Sequence, residues 1–209
     1  MSKKNQTKNL ILDHALKLFN EHGIEYVGVR DIANDLGLRV GNVTYYYPTK
    51  NDIIEEITAR LVELNAKTIV PVIGLTIRGF LEMYAQVFEN QYVYRCLFIN
   101  FIHHLEQNKE FEKNYIIRQN KRFEILRKNI AELVTTKYIK QKTTPEQREN
   151  ILSNISLISR FWLSEARVKF KDAPKKKMIR HYMTLMAHNL YPYCTAKGRK
   201  EINDFTAGF

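Results

Sequence analysis

The sequence predicts an all-α protein made of two parts, a small N-terminal head (residues 1–50) and a larger helical body (residues 51–209). Apolar residues recur every three or four positions along most of the chain, which is the period of an amphipathic helix. The 209 residues include only 8 glycines and 5 prolines, and this scarcity favours long helices over strands joined by tight turns. Residues typical of helix starts and ends divide the chain into separate helices.

The remaining bulk properties exclude several classes of protein. No apolar run approaches the roughly 18 to 20 residues needed to span a bilayer. The start, MSKKNQTKNL, lacks the apolar core of a signal peptide. Cys96 and Cys194 have neither the spacing of a metal site nor the number of a disulfide framework. We therefore expect a cytoplasmic protein with reduced thiols, no membrane contact and no cofactor.

The net charge of +11 is unevenly distributed. Basic and acidic residues balance over residues 1–60, so the whole excess lies further along the chain. Net charge alone therefore supports a nucleic-acid partner only weakly. A local feature is more informative, because no carboxylate occurs between Asp35 and Asp52 while Arg39 and Lys50 fall inside that window. Such a surface avoids like-charge repulsion from phosphates.

The head begins with polar residues and one amphipathic helix. Residues 1–6 are expected to form a mobile arm that carries Lys3 and Lys4. A helix is predicted from Thr7, a suitable N-cap, to His22, and Gly23 marks its end. Its apolar positions form a broad stripe: Ile11, Leu12, Ala15, Leu16, Leu18 and Phe19.

Two short helices follow with a tight turn between them. Val29, Ile32, Ala33 and Leu36 have the i, i+3, i+4, i+7 spacing of a helical stripe. Gly37 ends that helix, since glycine adopts the left-handed conformation at little cost, and a second helical run covers about residues 40–46. This pattern predicts a helix-turn-helix, whose second helix usually enters the DNA major groove.

The residue types in this stretch narrow the prediction. The run Val29-Arg30-Asp31-Ile32-Ala33 is followed in register by Gly37, Gly41, Asn42, Tyr46, Tyr47 and Lys50. In these positions the chain resembles the N-terminal domain of TetR/AcrR-family transcriptional regulators, and the match covers roughly Leu10 to Ile57. The resemblance implies a head that binds double-stranded DNA. The residues expected to contact DNA are Gly28, Arg30, Arg39, Val40, Gly41, Asn42, Thr44, Tyr45, Tyr46 and Lys50.

Several of these positions depart from the family pattern. Gly28 stands where members usually carry a hydroxyl that caps the helix and bonds a phosphate. Arg39 replaces the usual Ser or Thr N-cap. It can fork onto guanine O6 and N7, and the alternatives are a phosphate contact or a solvated surface position. Thr44 replaces a phosphate-bonding Tyr, a role that Tyr45 can take over. Asn42 can pair with adenine N6 and N7, while Lys50 matches a phosphate-contacting Lys of the family.

The body is predicted to be a series of helices. Thr49 to Asp52 has capping-box spacing and opens a linking helix that ends before Pro71. Further helices are expected over residues 73–91 and 94–107, and another after Asn108. Thr144-Pro145-Glu146-Gln147 is a strong start signal, and Pro174 opens the last predicted helix, which ends near Pro192. The resemblance implies that the last two long helices pair with those of a second subunit in a homodimer.

Aromatic residues of the body suggest a pocket for a small-molecule effector, although each of them could equally pack in an ordinary core. The basic excess of the body permits an anionic ligand, and it equally permits general attraction to DNA; the sequence leaves both open. The candidate pocket residues are Tyr84, Phe88, Phe98, Phe101, Tyr115, Phe161 and Trp162.

The chain shows no pattern typical of an enzyme. It has no Glu-x-x-His pair, Gly-rich phosphate loop, nucleophile elbow or zinc spacing, and His103, His104 and Glu106 are the nearest thing to a ligand cluster. We expect a ligand-responsive repressor that binds a palindromic operator as a dimer. Two other functions stay open: a DNA-binding regulator without a ligand, and a helical carrier or interaction protein that has lost DNA binding.

Overall fold

The computed structural model describes residues 3–99, 102, 105–106 and 109–208. This part of the chain is almost entirely helical, with one isolated bridge between Ile139 and Cys194 and short 3₁₀ turns at Ile24–Tyr26 and Tyr191–Tyr193. No helix of the described part is long and apolar enough to cross a membrane. The α-helices are α1 Lys3–His22, α2 Val29–Asp35, α3 Val40–Tyr46, α4 Lys50–Thr68, α5 Ile77–Val93, α6 Cys96–Ile99, α7 Lys109–Thr135, α8 Pro145–Lys169, α9 Lys175–Leu190 and α10 Ala196–Gly208.

The head packs α1, α2 and α3 around one apolar core. The first half of α4 contributes to the same core, so the core of the head extends beyond residue 50. The start of α4 is fixed by the predicted capping box: Thr49 Oγ1 accepts a hydrogen bond from the Asp52 amide at 3.2 Å, and Asp52 Oδ2 accepts one from the Thr49 amide at 2.7 Å. The buried residues of this core include Ile11, Phe19, Ile32, Ala33, Val43, Tyr47, Ile53 and Ile57.

The core of the body lies between α5, α7, α8, α9 and α10. Its centre is a stacked pair, Phe88 and Trp162, with ring centroids 4.9 Å apart and planes 4° from parallel. Helix α8 begins as predicted, because Thr144 Oγ1 accepts from the Gln147 amide and Pro145 occupies the first turn. The body core therefore uses the largest aromatic side chains as packing rather than as an open surface.

Some predicted boundaries differ from the structure, and one helix was not predicted. Residues 3–6 continue α1 instead of forming a mobile arm. Helix α5 begins at Ile77 rather than at residue 73, because Thr76 supplies the N-cap and accepts from the Gly79 amide at 3.0 Å. Helix α10 was not predicted. The predicted positions Phe101, His103, His104 and Asn108 lie outside the described residues.

Helix α4 joins the head to the body. A side-chain bridge from Asn20, near the C-terminal end of α1, also connects them. Asn20 Nδ2 donates to the carbonyl oxygen of Val93 at 2.8 Å, and Asn20 Oδ1 accepts from the Cys96 amide at 3.0 Å. The C-terminal end of α5 therefore lies at the head. The opposite end of α5 adjoins the turn after α7, where Thr136 Oγ1 donates to the carbonyl oxygen of Leu75 at 2.9 Å.

Candidate nucleic-acid interface and body cavity

The turn between α2 and α3 is held by backbone hydrogen bonds. Gly37 has φ 64°, and its amide donates to the carbonyl oxygen of Asn34 at 3.0 Å. The Leu38 amide donates to the carbonyl oxygen of Ala33 at 2.9 Å. This arrangement closes α2 as a left-handed residue does at a helix C-terminus. The sequence prediction of a helix, a Gly turn and a second helix is confirmed.

Helix α3 separates its buried and exposed faces cleanly. Val43 and the following Tyr47 are buried in the head core. Of the seven predicted contact residues at the start of and within α3, five are exposed, while Thr44 and Tyr46 are half-buried. Those exposed residues are Arg39, Val40, Gly41, Asn42 and Tyr45.

Arg39 and Thr44 differ in what they can offer to a ligand. Arg39 is the N-cap of α3, but its side chain makes no capping hydrogen bond and its guanidinium is exposed. Thr44 Oγ1 instead donates back to the carbonyl oxygens of Val40 at 3.2 Å and Gly41 at 3.4 Å. The single hydroxyl proton of Thr44 is thus directed at its own helix and is not offered to a phosphate in this conformation.

The C-terminal end of α3 meets the first turns of α1. Tyr45 and Tyr46 contact each other edge to face, with centroids 5.1 Å apart. The ammonium of Lys4 lies 5.9 Å from the Tyr45 ring, and that of Lys8 lies 5.7 Å from the Tyr47 ring. These two lysines add positive charge beside α3. The sequence did not predict the helical position of Lys4, because residues 1–6 contain no apolar periodicity from which a helix could be inferred.

Two predicted phosphate contacts already have partners within the protein. The Gly28 amide at the start of α2 donates to Asp31 Oδ2 at 2.7 Å, so a carboxylate occupies the place where a phosphate was expected. Lys50 Nζ donates to the carbonyl oxygen of Ile24 at 2.9 Å and is partly buried. Arg30 is exposed at the first turn of α2. The head therefore offers Arg30, Arg39 and Asn42 more openly than Gly28 or Lys50.

The body contains a cavity of about 80 Å³ between α4, α5, α7 and α8. Three of the predicted pocket residues line it, namely Tyr84, Phe98 and Tyr115. Phe88 and Trp162 lie instead in the packed core, and Phe161 points outwards with 36% of its surface exposed. The full lining is Asn65, Ile69, Tyr84, Val87, Gln91, Phe98, Tyr115, Gln119, Arg122, Phe123, Leu126, Ser156, Ser159 and Arg160.

The predicted pocket residues were all aromatic, so they did not include the other polar residues of this lining. A usable signal was present in α7, where residues 115, 119, 122, 123 and 126 recur with helical spacing and therefore share one face.

Burial raises the pKa of Tyr84 and Tyr115, while nearby arginines oppose that shift. Among the described residues, no group of three or more His, Cys, Asp or Glu is placed to hold a metal ion.

The cavity is connected to the linking helix by buried amides. Asn65 of α4 lines the cavity, and its Oδ1 accepts from Asn90 Nδ2 at 2.9 Å. Gln91, next along α5, accepts from Trp162 Nε1 at 2.6 Å and donates to the carbonyl oxygen of Ser159 at 3.0 Å. Whatever occupies the cavity thus contacts the same helix that contributes to the head core.

Solved structures of other proteins have the same fold as this chain. A TetR-family transcriptional regulator from Marinobacter aquaeolei VT8 aligns with a TM-score of 0.85 at 21% identity, covering 100% of this chain and 98% of that one. The complex of SmeT, a repressor from Stenotrophomonas maltophilia, with triclosan aligns with a TM-score of 0.63 at 13% identity, covering 91% and 93%.

Comparison of sequences identifies both parts of the chain. The probable HTH-type transcriptional regulator YttP of Bacillus subtilis (strain 168) is 32% identical over 66 residues, a match that spans only 32% of this chain and 32% of that relative. The profile described as "Bacterial regulatory proteins, tetR family" matches residues 11–57. The TetR profile described as "Bacterial transcriptional repressor" matches residues 55–202. The protein therefore belongs to the TetR family of DNA-binding bacterial transcriptional regulators.

Proposed function

We propose that the protein is a homodimeric repressor that binds a palindromic DNA operator and releases it when a small molecule enters the body cavity. The exposed face of α3 carries this proposal. It presents Arg39 and Asn42, which suit guanine and adenine edges, on a helix whose other face is buried in the head core. No carboxylate lies between Asp35 and Asp52 to repel the phosphates beside the groove.

An apolar face on α8 and α9 supports homodimerisation. Leu157, Phe161 and Val168 lie on one side of α8 and are 53%, 36% and 84% exposed. Leu185 of α9 is 46% exposed. The Asn154–Asn189 hydrogen bond of 2.9 Å pairs the two helices so that Leu157 and Leu185 fall close together. Such a surface is stabilised by covering it with an identical copy, which gives a two-fold dimer.

A dimer of this kind presents two heads to DNA. Two α3 helices in successive major grooves would lie about 34–36 Å apart, or a multiple of that distance, and the operator would share the two-fold symmetry of the protein. A ligand that favours a different head spacing lowers operator affinity by its differential binding to the two states. Helix α4 is suited to this coupling because it reaches from the head core to Asn65 in the cavity.

The proposed function is tested with DNA from upstream of the protein's own gene. We expect a mobility shift with the wild type and its loss with Arg39→Ala/Asn42→Ala, because both base-contacting side chains are removed. Arg78→Ala is the matched control, since Arg78 is exposed at the far end of α5, and it should bind as the wild type does. Absence of binding by the wild type at low salt, where phosphate contacts are strongest, would overturn the proposal.

A further inference from the structure

The body cavity is positively charged and lacks a compensating acid in its lining. Arg122 and Arg160 line it, and none of its described lining residues is a carboxylate. Its remaining walls combine apolar side chains with neutral polar groups such as Asn65 and Ser156. Arg160 is half-buried, and a cation that is removed from water is ordinarily paired, so this lining favours an anion.

Arg160 has an unused donor at the cavity. Its Nε is buried and has no hydrogen-bond partner. The rest of the guanidinium is held in place, because it lies 5.7 Å from the Tyr115 ring and 5.8 Å from the Phe161 ring and hydrogen-bonds the Tyr115 hydroxyl. A buried N–H without an acceptor is unfavourable, and a ligand oxygen in the cavity would satisfy it.

Arg122 adds a second cation on the facing helix. Its Nη1 donates to Gln119 Oε1 at 3.2 Å, and its side chain keeps solvent contact at the cavity mouth. Desolvation lowers the pKa of Arg122, and the nearby cations Arg118 and Arg160 lower it further while Tyr115 and Tyr84 oppose them.

A third arginine, Arg118, lies one turn before Arg122 in α7. Desolvation lowers the pKa of Arg118, while Tyr115 and Glu55 of α4 oppose that shift.

We propose that the cavity binds a small organic anion, with its carboxylate between Arg160 and Arg122 and its apolar part against Ile69, Val87 and Phe98. The volume of about 80 Å³ restricts the ligand to a small molecule, and a single-ring acid such as benzoate serves as the probe. This inference rests on the proposed function, since it names the chemical class of the effector. The bound anion would lie beside Asn65 of α4, the helix that contributes to the head core.

The test compares three ligands that share one ring and differ in charge: benzoate, benzyl alcohol and benzylamine. Thermal shift and calorimetry on the full chain should show binding of benzoate and not of the neutral or cationic ligand. Arg160→Gln and Arg122→Gln should each weaken benzoate binding at least tenfold, because a charge-assisted pair is lost. Arg78→Gln, an arginine far from the cavity, should leave benzoate binding unchanged.

The inference is overturned if benzyl alcohol or benzylamine binds as tightly as benzoate, if neither cavity variant weakens benzoate binding, or if no ligand binds at millimolar concentration. Circular dichroism and operator binding without ligand check that each variant is folded. Benzoate that binds through both arginines without changing operator affinity would uphold the anion site and contradict its regulatory role.

A separate surface carries much of the remaining charge. Residues 167–180, the basic segment, join the end of α8 to the start of α9, and they contain one acid, Asp172. The basic side chains are all exposed. They are Arg167, Lys169, Lys171, Lys175, Lys176, Lys177 and Arg180.

The basic segment lies at the end of the body that carries the head. Arg167 and Lys171 line a cleft of about 550 Å³ together with the 3₁₀ turn at Ile24–Tyr26. Lys175 Nζ pairs with Glu89 Oε2 near the C-terminal end of α5 at 2.7 Å, which anchors the start of α9 on the same side. A DNA duplex held by α3 is the polyanion that would approach this end.

We infer that the basic segment contacts DNA phosphates outside the base pairs that α3 contacts. The charge of the segment is complementary to the backbone, and such contacts add affinity without sequence preference. This inference also rests on operator binding by the head. The body would then contribute part of the affinity for DNA, because residues 1–60 carry no net charge.

Salt dependence tests the basic segment. In Lys171→Gln/Lys176→Gln/Lys177→Gln, we expect operator and scrambled DNA to be bound more weakly by the same factor, and the slope of log K against log salt to shrink by about 0.9 for each lost contact. The control, Lys137→Gln/Lys142→Gln/Lys200→Gln, removes the same charge from exposed lysines at the opposite end and should leave the slope unchanged. Equal slopes for the two triple variants would refute the inference while wild-type operator binding still upheld the proposed function.

Discussion

Lys50 illustrates how one residue can serve both fold and function. Its ammonium donates to the Ile24 carbonyl oxygen at 2.9 Å, and the sequence predicts that it also contacts a DNA phosphate. We expect Lys50→Met to lower the free energy of unfolding by about 1.5–3 kcal/mol, the range for a hydrogen bond to a charged group. Chemical denaturation measures this loss. Affinity should fall by a similar factor for every DNA sequence, because a phosphate contact carries no base information.

Arg39 should behave differently from Lys50, since its exposed guanidinium makes no cap within α3. We expect Arg39→Ala to relax the preference at one base pair by about 1–3 kcal/mol and to leave stability nearly unchanged. Binding assays on a set of singly substituted operators measure the preference. A uniform loss over all operators, as expected for Lys50, would make Arg39 a phosphate contact.

Replacement of glycine by alanine is expected to have opposite effects on stability at Gly41 and at Gly198. Gly41 lies on the exposed face of α3 with open space around it, so Gly41→Ala should stabilise the helix by about 1 kcal/mol while weakening operator binding, because the methyl group faces the groove. A methyl group at Gly198 would lie 2.5 Å from the carbonyl oxygen of Tyr138, and Gly198→Ala should destabilise the body by about 1–3 kcal/mol. Thermal melts measure the stability of both variants, and operator titrations measure the DNA affinity of Gly41→Ala. A more stable Gly41→Ala protein with undiminished affinity would argue against close approach of α3 to DNA.

At the scale of elements, helix starts were predicted well where the cap was recognised. The caps at Thr49 and Thr144 are hydrogen bonds between near neighbours in sequence, so their residue types suffice to identify them. Two further threonine caps were overlooked, at Thr76 before α5 and at Thr195 before α10, where Thr195 Oγ1 accepts from the Gly198 amide at 3.3 Å. Helix α10 is buried mainly through Ile202 and Phe205 against the rest of the body. Its position depends on long-range packing at Gly198, which local periodicity does not contain.

The candidate site, too, was predicted only in part from the sequence. Helical periodicity and register identified the exposed face of α3, because Val43 and Tyr47 could be assigned to the core. The body pocket was predicted only in part, since the sequence does not say whether Phe88, Trp162 or Phe161 faces a cavity, the core or solvent. The polar and charged lining became visible only when α5, α7 and α8 were brought together.

The Asn20 bridge is the element-scale contact that ties α1 to the body. We expect Asn20→Ala to free the Cys96 amide, which donates to Asn20 Oδ1, and hydrogen exchange at the start of α6 should become faster. Operator affinity should change as well, because the head loses one of its attachments to the body. The control Asn203→Ala removes an exposed amide from α10 and should alter neither property. Unchanged exchange at Cys96 would show that the bridge does not hold the two parts together.

At the scale of the whole molecule, the proposed dimer depends on the apolar face of α8 and α9. Phe161→Glu places a charge on that face, and two-fold symmetry repeats it in the partner. We expect the dimer dissociation constant to rise about 100-fold or more, as measured by sedimentation or light scattering. Ile73→Glu is the matched control, because Ile73 is 98% exposed in the turn before α5. A stable Phe161→Glu dimer would place the subunit contact elsewhere.

A footprint of the wild-type protein on the DNA upstream of its gene shows whether two α3 helices bind DNA together. We predict two protected half-sites, related by two-fold symmetry and centred about 10 to 10.5 base pairs apart or a multiple of that spacing. The protection should disappear with Arg39→Ala/Asn42→Ala. A single unsymmetrical protected site, or no protection at low salt, would contradict a dimer that presents two α3 helices to DNA.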